Sequence, residues 1–325
     1  MKRLLLLTIA LLCGIFSFAQ LLTWTPAFPT ENDASQNLVI TVDASKGNKG
    51  LLNYSPSTDV YVHTGVITNL SSSQSDWKYV KFNQNFNQPN TQLQATYIGN
   101  NKWQFTIPGS LKTYYNVPAG ETILKIAILF RTGNGGLKQA NSDNSDMYVP
   151  IYSSSLAVRL SQPPTEPKYV PTPEPQTWTI GTNFSVVAEA NKSSAMKLYH
   201  NGNVIASSSG NVPSITGNSS VTVAGEQQLV AEANDGTTTK YDTIKVYVTP
   251  SSPIVALPSG AKDGINYNSP TSVTLVLRAP GKNGATVIGD FNNWQQAVMN
   301  KTPDGKFFWI TLNGLTAGTE YGFQY

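Results

Sequence analysis

The sequence predicts an all-β protein: three consecutive immunoglobulin-like β-sandwich domains after a signal peptide. Three observations predict it. Short runs of Val, Ile, Thr and Tyr alternate with clusters of Gly, Pro, Asn and Asp along the whole chain. No long segment repeats its apolar residues at the 3.6-residue period of an amphipathic helix. Dipeptides suited to tight hairpin turns recur, as at Asn201-Gly202 and Asp235-Gly236. The length of 325 residues allows two or three domains.

Residues 1–19 read as a secretory signal. Met1-Lys2-Arg3 is its positive start, Leu4 to Phe16 its apolar stretch, and Ser17-Phe18-Ala19 a small-x-small cleavage site. The apolar run is too short for a bilayer span. Cys13, the only cysteine, falls inside it, so cleavage after Ala19 leaves neither disulfides nor a thiol nucleophile. Lipidation at Cys13 is the disfavoured alternative, because bulky Leu12 precedes it. The expected destination is secreted, periplasmic or cell-surface, with no membrane attachment after cleavage. The full chain has 22 Lys and Arg against 19 Asp and Glu; loss of Lys2 and Arg3 leaves 20 against 19, a net +1. Such a balance gives no long-range attraction for nucleic acid or anionic membrane. With only 13 % charged residues, the polar but uncharged surface suits neutral partners.

The first domain, residues 20–160, has strand candidates at 37–42, 59–63, 77–82, 94–98, 103–107 and 122–131. The last, TILKIAILFR, is apolar on both faces and is expected at the centre of a sheet. Gly99-Asn100-Asn101 should turn the fourth strand into the fifth. A proline-rich stretch, residues 161–175, reads as a semi-rigid spacer, unless Tyr169 and Val170 already open an edge strand. Residues 176–250 form the second domain, expected as seven or so short strands around two hairpins. Residues 251–325 form the third.

Within the third domain, VIGDFNNWQQ (287–296) reads as a strand end, a polar turn at 289–293 and a presented Trp294. FFWITL then returns as a strand, and one of Phe308 and Trp309 must point outward. The G-D-F-N-x-W turn, with the downstream L-x-x-G-x-x-Y-x-F pattern, resembles the family 48 carbohydrate-binding module. That small β-sandwich precedes the catalytic barrel of family 13 glycoside hydrolases and recognises glycogen in the β subunit of AMP-activated kinase. The resemblance covers roughly residues 252–325. The segments 59–72, 76–80 and 123–136 resemble the N-terminal domain of secreted bacterial family 13 amylases.

Sugar binding needs exposed aromatic faces, since pyranose C–H surfaces stack on rings while hydroxyls take polar partners. The resemblance places Trp294 at a sugar-stacking position, with Asn292 and Asn293 as hydroxyl partners; a structural Trp294 is the competing reading. Trp309 is a further candidate, whereas Trp77 and Trp103 suit a core better. Two positions depart from the glycogen-binding version. Gly322 follows Tyr321 where that version has a Lys, and its second stacking Trp would lie beyond Tyr325.

Catalytic chemistry has no foothold in these residues. The two histidines, His63 and His200, have no nucleophile or carboxylate pattern beside them, and no H-E-x-x-H, G-x-S-x-G or phosphate-loop motif occurs. SDNSD (142–146) lacks the alternating spacing that wraps calcium, so neither metal nor cofactor is expected. Glycoside hydrolysis needs two carboxyls on a rigid scaffold, which family 13 places on an α/β barrel absent from this chain. The expected role is therefore accessory: binding of an α-glucan, starch or glycogen, and positioning of a C-terminal catalytic domain of the alpha-amylase type. The alternative is a surface or adhesive protein of immunoglobulin-like domains without glucan affinity. In the resembling module one more strand follows the one ending at Tyr325, so the third domain is expected to be the least stable.

Overall fold

Residues 20–81 and 85–325, which this computed structural model describes, are mostly strand and turn. The expected signal and Cys13, with the Phe82 end of one strand candidate, lie outside the described residues. The chain divides into two compact units. One comprises residues up to Thr172 with Ser185–Gly217 and Leu229–Ile244; the other comprises Pro173–Phe184, Asn218–Gln228 and Lys245–Tyr325.

The first sandwich contains β1 (Leu22–Thr25), β2 (Asn37–Asp43), β3 (Val60–Thr68), β4 (Thr96–Gly99), β5 (Lys102–Pro108), α1 (Leu111–Tyr115), β6 (Ile123–Thr132), β7 (Lys138–Gln139) and β8 (Met147–Pro150). One sheet runs β1-β2-β5-β4; in the other, β6 pairs with β3, β7 and β8. Strand alternation builds the core between them. Leu38, Ile40 and Val42 stand opposite Ile107, Phe105 and Trp103, and this layer packs on Val62, Ile126, Ile128 and Phe130. Trp103 is fully buried and donates Nε1 to the Ser57 carbonyl at 2.8 Å. The central position of β6 is as its sequence predicts, with one surprise. Arg131 is buried near the Tyr61 and Phe86 rings, and its guanidinium reaches the carbonyls of Thr132, Gly133 and Gln88 at 2.9–3.2 Å.

The strand expected from Trp77 is reduced to one bridge, Lys78 with Val66, because Tyr79 turns left-handed at φ 51°. The short α1 was not foreseen. Its caps are ordinary ones: Ser110 Oγ accepts from the Thr113 amide, and Asn116 ends it at φ 59°.

The proline-rich stretch is not a free spacer over its first part. The Tyr148 amide donates to the Pro167 carbonyl at 2.8 Å, and Ser142 donates its amide and Oγ to Glu166 at 2.8 and 2.9 Å. Lys168 bridges to Asp143 at 3.1 Å, and the Tyr169 ring packs on Tyr148 at 5.5 Å. Side chains of both partners hold it down, a tertiary effect that proline content does not encode. Neither Tyr169 nor Val170 enters a strand.

The middle strands are β9 (Val158–Gln162), β10 (Glu174–Gln176), β11 (Asn183–His200), β12 (Asn203–Ser220), β13 (Gly225–Asn234) and β14 (Thr239–Val248). Instead of seven short strands there are two of 18 residues. The reason lies in β11, where Phe184, Val186, Ala188, Ala190, Met196 and Leu198 keep one phase with no Gly or Pro to stop it. The hairpins form as expected; Asn201 and Gly202 both turn left-handed, at φ 49° and 81°. In the first unit β11 pairs with β9 and β13. In the second, β10 runs parallel to the end of β14. Residues expected in the first domain and the linker thus supply β9 and β10.

The third sandwich contains β15 (Gly264–Ser269), β16 (Ser272–Arg278), β17 (Thr286–Gly289), β18 (Ala297–Val298), β19 (Asn300–Lys301), β20 (Phe307–Asn313) and β21 (Phe323–Gln324). Its sheets run β15-β16-β20-β19 and β18-β17-β21. Leu275, Val287, Met299 and Phe308 are its buried core, with Val273, Leu277, Ile310, Leu312 and Phe323 only partly covered. Register explains the thinness. Ile265 and Tyr267 of β15 stand opposite Leu275 and Val273, hence on the core side, yet they are 48 % and 81 % exposed.

The two sandwiches should therefore differ in stability. The third is expected to melt before the first and to be cut first by protease, between residues 264 and 325; coincident melting in calorimetry with equal protease resistance would contradict this. Trp103→Ala should cost the first sandwich about 3–5 kcal/mol in urea unfolding, whereas Tyr267→Thr should stay within about 0.5 kcal/mol.

Candidate functional site

The turn that carries Trp294 begins at a close approach of two backbones. A Cβ on Gly289 would lie 2.6 Å from the Gly322 carbonyl oxygen and 2.9 Å from Phe323 Cβ. Only glycine lets β21 lie against the end of β17 in this way, where Gly289 pairs with Phe323. Asp290–Asn292 then makes one 3₁₀ turn, and Asn293 and Trp294 follow in left-handed conformation at φ 53° and 59°. The Trp294 amide closes the turn on the Gly289 carbonyl at 2.9 Å. A left-handed backbone is unusual for a large aromatic residue and costs about 1–3 kcal/mol.

Asp290 holds the arrangement. Its Oδ1 accepts the Trp294 indole N–H at 2.9 Å, and its Oδ2 accepts the Gly322 amide at 2.7 Å. Its own amide donates to the Gly322 carbonyl at 3.0 Å. One carboxylate thus fixes both the indole and the strand that Gly322 leads into, through charge-assisted hydrogen bonds. Trp294 remains 50 % exposed. With its N–H taken by Asp290, the ring offers apolar faces, the surface on which a pyranose stacks.

The two asparagines behave differently. Asn292 is spent inside the turn: its Oδ1 accepts the Gly289 amide at 3.1 Å, and its Nδ2 donates to the Gln295 carbonyl. Asn293 is exposed, and its side-chain amide makes no hydrogen bond among the described residues. It is the amide open to a ligand hydroxyl. Gly322, in place of the Lys of the resembling module, leaves the indole edge bare; a Cβ there would lie 3.8 Å from Trp294 Cζ2.

Trp309 is the outward member of its pair, as alternation requires, while Phe308 is buried. It stands opposite Val276, away from the core, and donates its Nε1 to the Val255 carbonyl at 3.1 Å. Trp309 is itself partly buried, and Val276 opposite it is buried. Tyr321 is a fastening residue, accepting the Thr316 amide on its hydroxyl at 2.9 Å.

In the first sandwich Trp77 stacks on His63, with centroids 5.6 Å apart, and donates its Nε1 to the Gln74 carbonyl at 3.1 Å. Phe86 meets His63 edge-on at 5.4 Å. These contacts occupy Trp77 in packing. Burial, then the nearby Arg131 charge, holds His63 below its ordinary pKa. In SDNSD, Asp143 takes the amide and hydroxyl of Ser145 and the Lys168 ammonium, which bring its pKa down to about 2. Among the described residues no three His, Cys, Asp or Glu side chains gather as a metal site, and no helix is long and apolar enough to cross a membrane.

No protein-family model matches the chain, and no curated protein matches it. Among solved structures, the Clostridium thermocellum CbhA fibronectin(III)-like modules are similar at 20 % identity and TM-score 0.23, over 29 % of this chain and 98 % of theirs. Bacteroides uniformis beta-glucuronidase 3 is similar at 11 % identity and TM-score 0.24, over 59 % of this chain and 26 % of that one. The titin z1z2 domains are similar at 13 % identity and TM-score 0.21, over 72 % and 98 %. Likenesses this slight say nothing about what the chain binds.

Two outcomes follow from the side-chain geometry. Asp290→Ala should destabilise the third sandwich by about 1–2 kcal/mol and shift Trp294 emission toward that of a solvated indole. An unchanged spectrum and melting point would mean that the carboxylate holds nothing. For His63 the folded pKa lies below the unfolded value, so above pH ~6.5 both states are neutral and nothing is lost. As pH falls below that, the unfolded chain binds a proton that the folded one resists, and stability drops down to the folded pKa. The melting point of the first sandwich should fall less between pH 7.5 and 5.5 in His63→Gln than in the parent; equal slopes would contradict the assignment.

Proposed function

We propose that this chain is an exported accessory region that binds α-glucan, starch or glycogen, through the Trp294 turn of its third sandwich. In this reading it positions a family 13 glycoside hydrolase domain that is not part of the described residues. One observation carries the proposal: a half-exposed indole held in left-handed backbone by the Asp290 carboxylate. The open Asn293 amide beside it supplies a partner for a sugar hydroxyl, and the nearly neutral surface suits an uncharged polymer.

One or two stacked rings support only weak binding after ordering costs, with Kd between about 10 μM and 1 mM, or roughly −7 to −4 kcal/mol. Affinity electrophoresis in amylopectin gels tests the proposal. Trp294→Ala should weaken binding about 5- to 30-fold, equivalent to about 1–2 kcal/mol, with the fold intact. Parent protein that is not retarded at all, or a Trp294→Ala variant retarded like the parent, would sink it and leave the adhesive reading.

A further inference from the structure

The Trp294 turn has a neighbour from outside its own sandwich. Tyr247, near the end of β14, donates its hydroxyl to Gln296 Oε1, two residues beyond Trp294. Alternation on this strand sends Val246 and Val248 inward, so Tyr247 lies on the opposite face, where its ring is partly exposed. Burial raises the pKa of its hydroxyl, which stays a donor at neutral pH.

The intervening chain is laid against the third sandwich rather than hanging free. Ser252 is buried and its Oγ accepts the Ala285 amide at 3.2 Å. The Pro253 carbonyl accepts the Lys301 amide at 2.7 Å, and the Val255 amide donates to the Lys301 carbonyl at 2.9 Å. Gly284 admits the Pro250 carbonyl so closely that a Cβ would lie 2.8 Å from its oxygen. Residues 245–325 belong to one compact unit, so Tyr247 and the turn are held together from both ends.

We propose that Tyr247 is a second aromatic contact of the same site, so that the preferred ligand is a run of several glucose units rather than a chain end. The inference rests on the reading of Trp294 as a glucan contact. A ring with a polar amide, Gln296, at its edge repeats the pairing of Trp294 with Asn293: a face for stacking and an adjacent group for a hydroxyl. Once one unit stacks on Trp294, the next units meet Tyr247 at the high effective concentration of a tethered ligand. Short oligosaccharides would occupy only the first contact.

Calorimetric titration of the full chain with maltotriose and with maltoheptaose tests this. The parent should bind maltoheptaose more tightly. Tyr247→Ala should weaken maltoheptaose about 2- to 10-fold while leaving maltotriose within about two-fold, the loss expected for one stacked ring. Tyr247→Phe, which keeps the ring and drops the hydroxyl, should stay close to the parent. Equal losses for both sugars, shared by Tyr247→Phe, would mean that the tyrosine only braces the turn and would overturn the inference. So would an absence of length dependence in the parent, or no effect of Tyr247→Ala while Trp294→Ala still weakens both sugars. Trp294→Ala binding like the parent would instead bring down the reading of the site itself, and the inference with it. Melting points within error across the variants keep misfolding out of the comparison.

Discussion

The carboxylate of Asp290 is the group on which the third sandwich's exposed face depends. It joins an indole to a strand that would otherwise meet only through a two-residue ladder. Hydrogen bonds to a charged group contribute about 1.5–3 kcal/mol each in sheltered settings, and less at an exposed one. Two of them are therefore comparable with the about 1–3 kcal/mol cost of placing a tryptophan in left-handed backbone. The polar latch can offset the strain without burying the ring. Gly289 and Gly322 follow from the same constraint: backbones this close leave no room for a side chain at the first position, and at the second a Cβ would press on the carboxylate at 3.1 Å.

The first and third sandwiches use the same alternation to different degrees. In the first, β2 and β5 oppose β3 and β6 along their lengths, so facing residues become inaccessible on both sides. In the third, the sheet built on β17 has only short β18 and β21 beside it, and Ile265 and Tyr267 keep their core-side register without a roof. Apolar burial, at about 25 cal/mol per Å², separates the two more than any hydrogen bond does.

Patterns of period two were legible in the sequence. With the doubly apolar run of β6 and the turn dipeptides at Asn201-Gly202 and Asp235-Gly236, they gave the all-β class, the central place of β6 and the two hairpins, while Trp103 was read as suited to a core. Trp294 was legible through its turn. Asp290 was not, because an aspartate in a polar turn looks like any other turn former; only the spacing from Asp290 to Trp294 hinted at a latch. The length of β11 was missed because seven or so short strands around two hairpins were expected there, whereas its inner apolar phase runs on without a Gly or Pro. The docking of residues 166–169 was unreadable, since Lys168, Glu166 and Asp143 acquire their partners only once the chain is folded.

How the indole is held bears on what it can do. An aromatic ring packed into a core is fixed by its faces, and nothing is left to present. Trp294 is gripped by its N–H edge, so its position is set while its faces are not consumed. For a weak ligand this matters, because ordering a mobile side chain on binding costs about 0.5–1.5 kcal/mol, a large part of a millimolar affinity. Holding the ring in advance removes that cost from the binding step and charges it to folding, where the strained turn and its carboxylate already balance. Exposure, rather than the N–H bond, separates Trp294 from Trp309 and Trp77. Trp77 stacks on His63, and Trp309 is partly buried opposite Val276 in the ladder. All three donate their indole N–H, Trp309 to the Val255 carbonyl and Trp77 to the Gln74 carbonyl, but among them only Trp294 keeps half of its surface open.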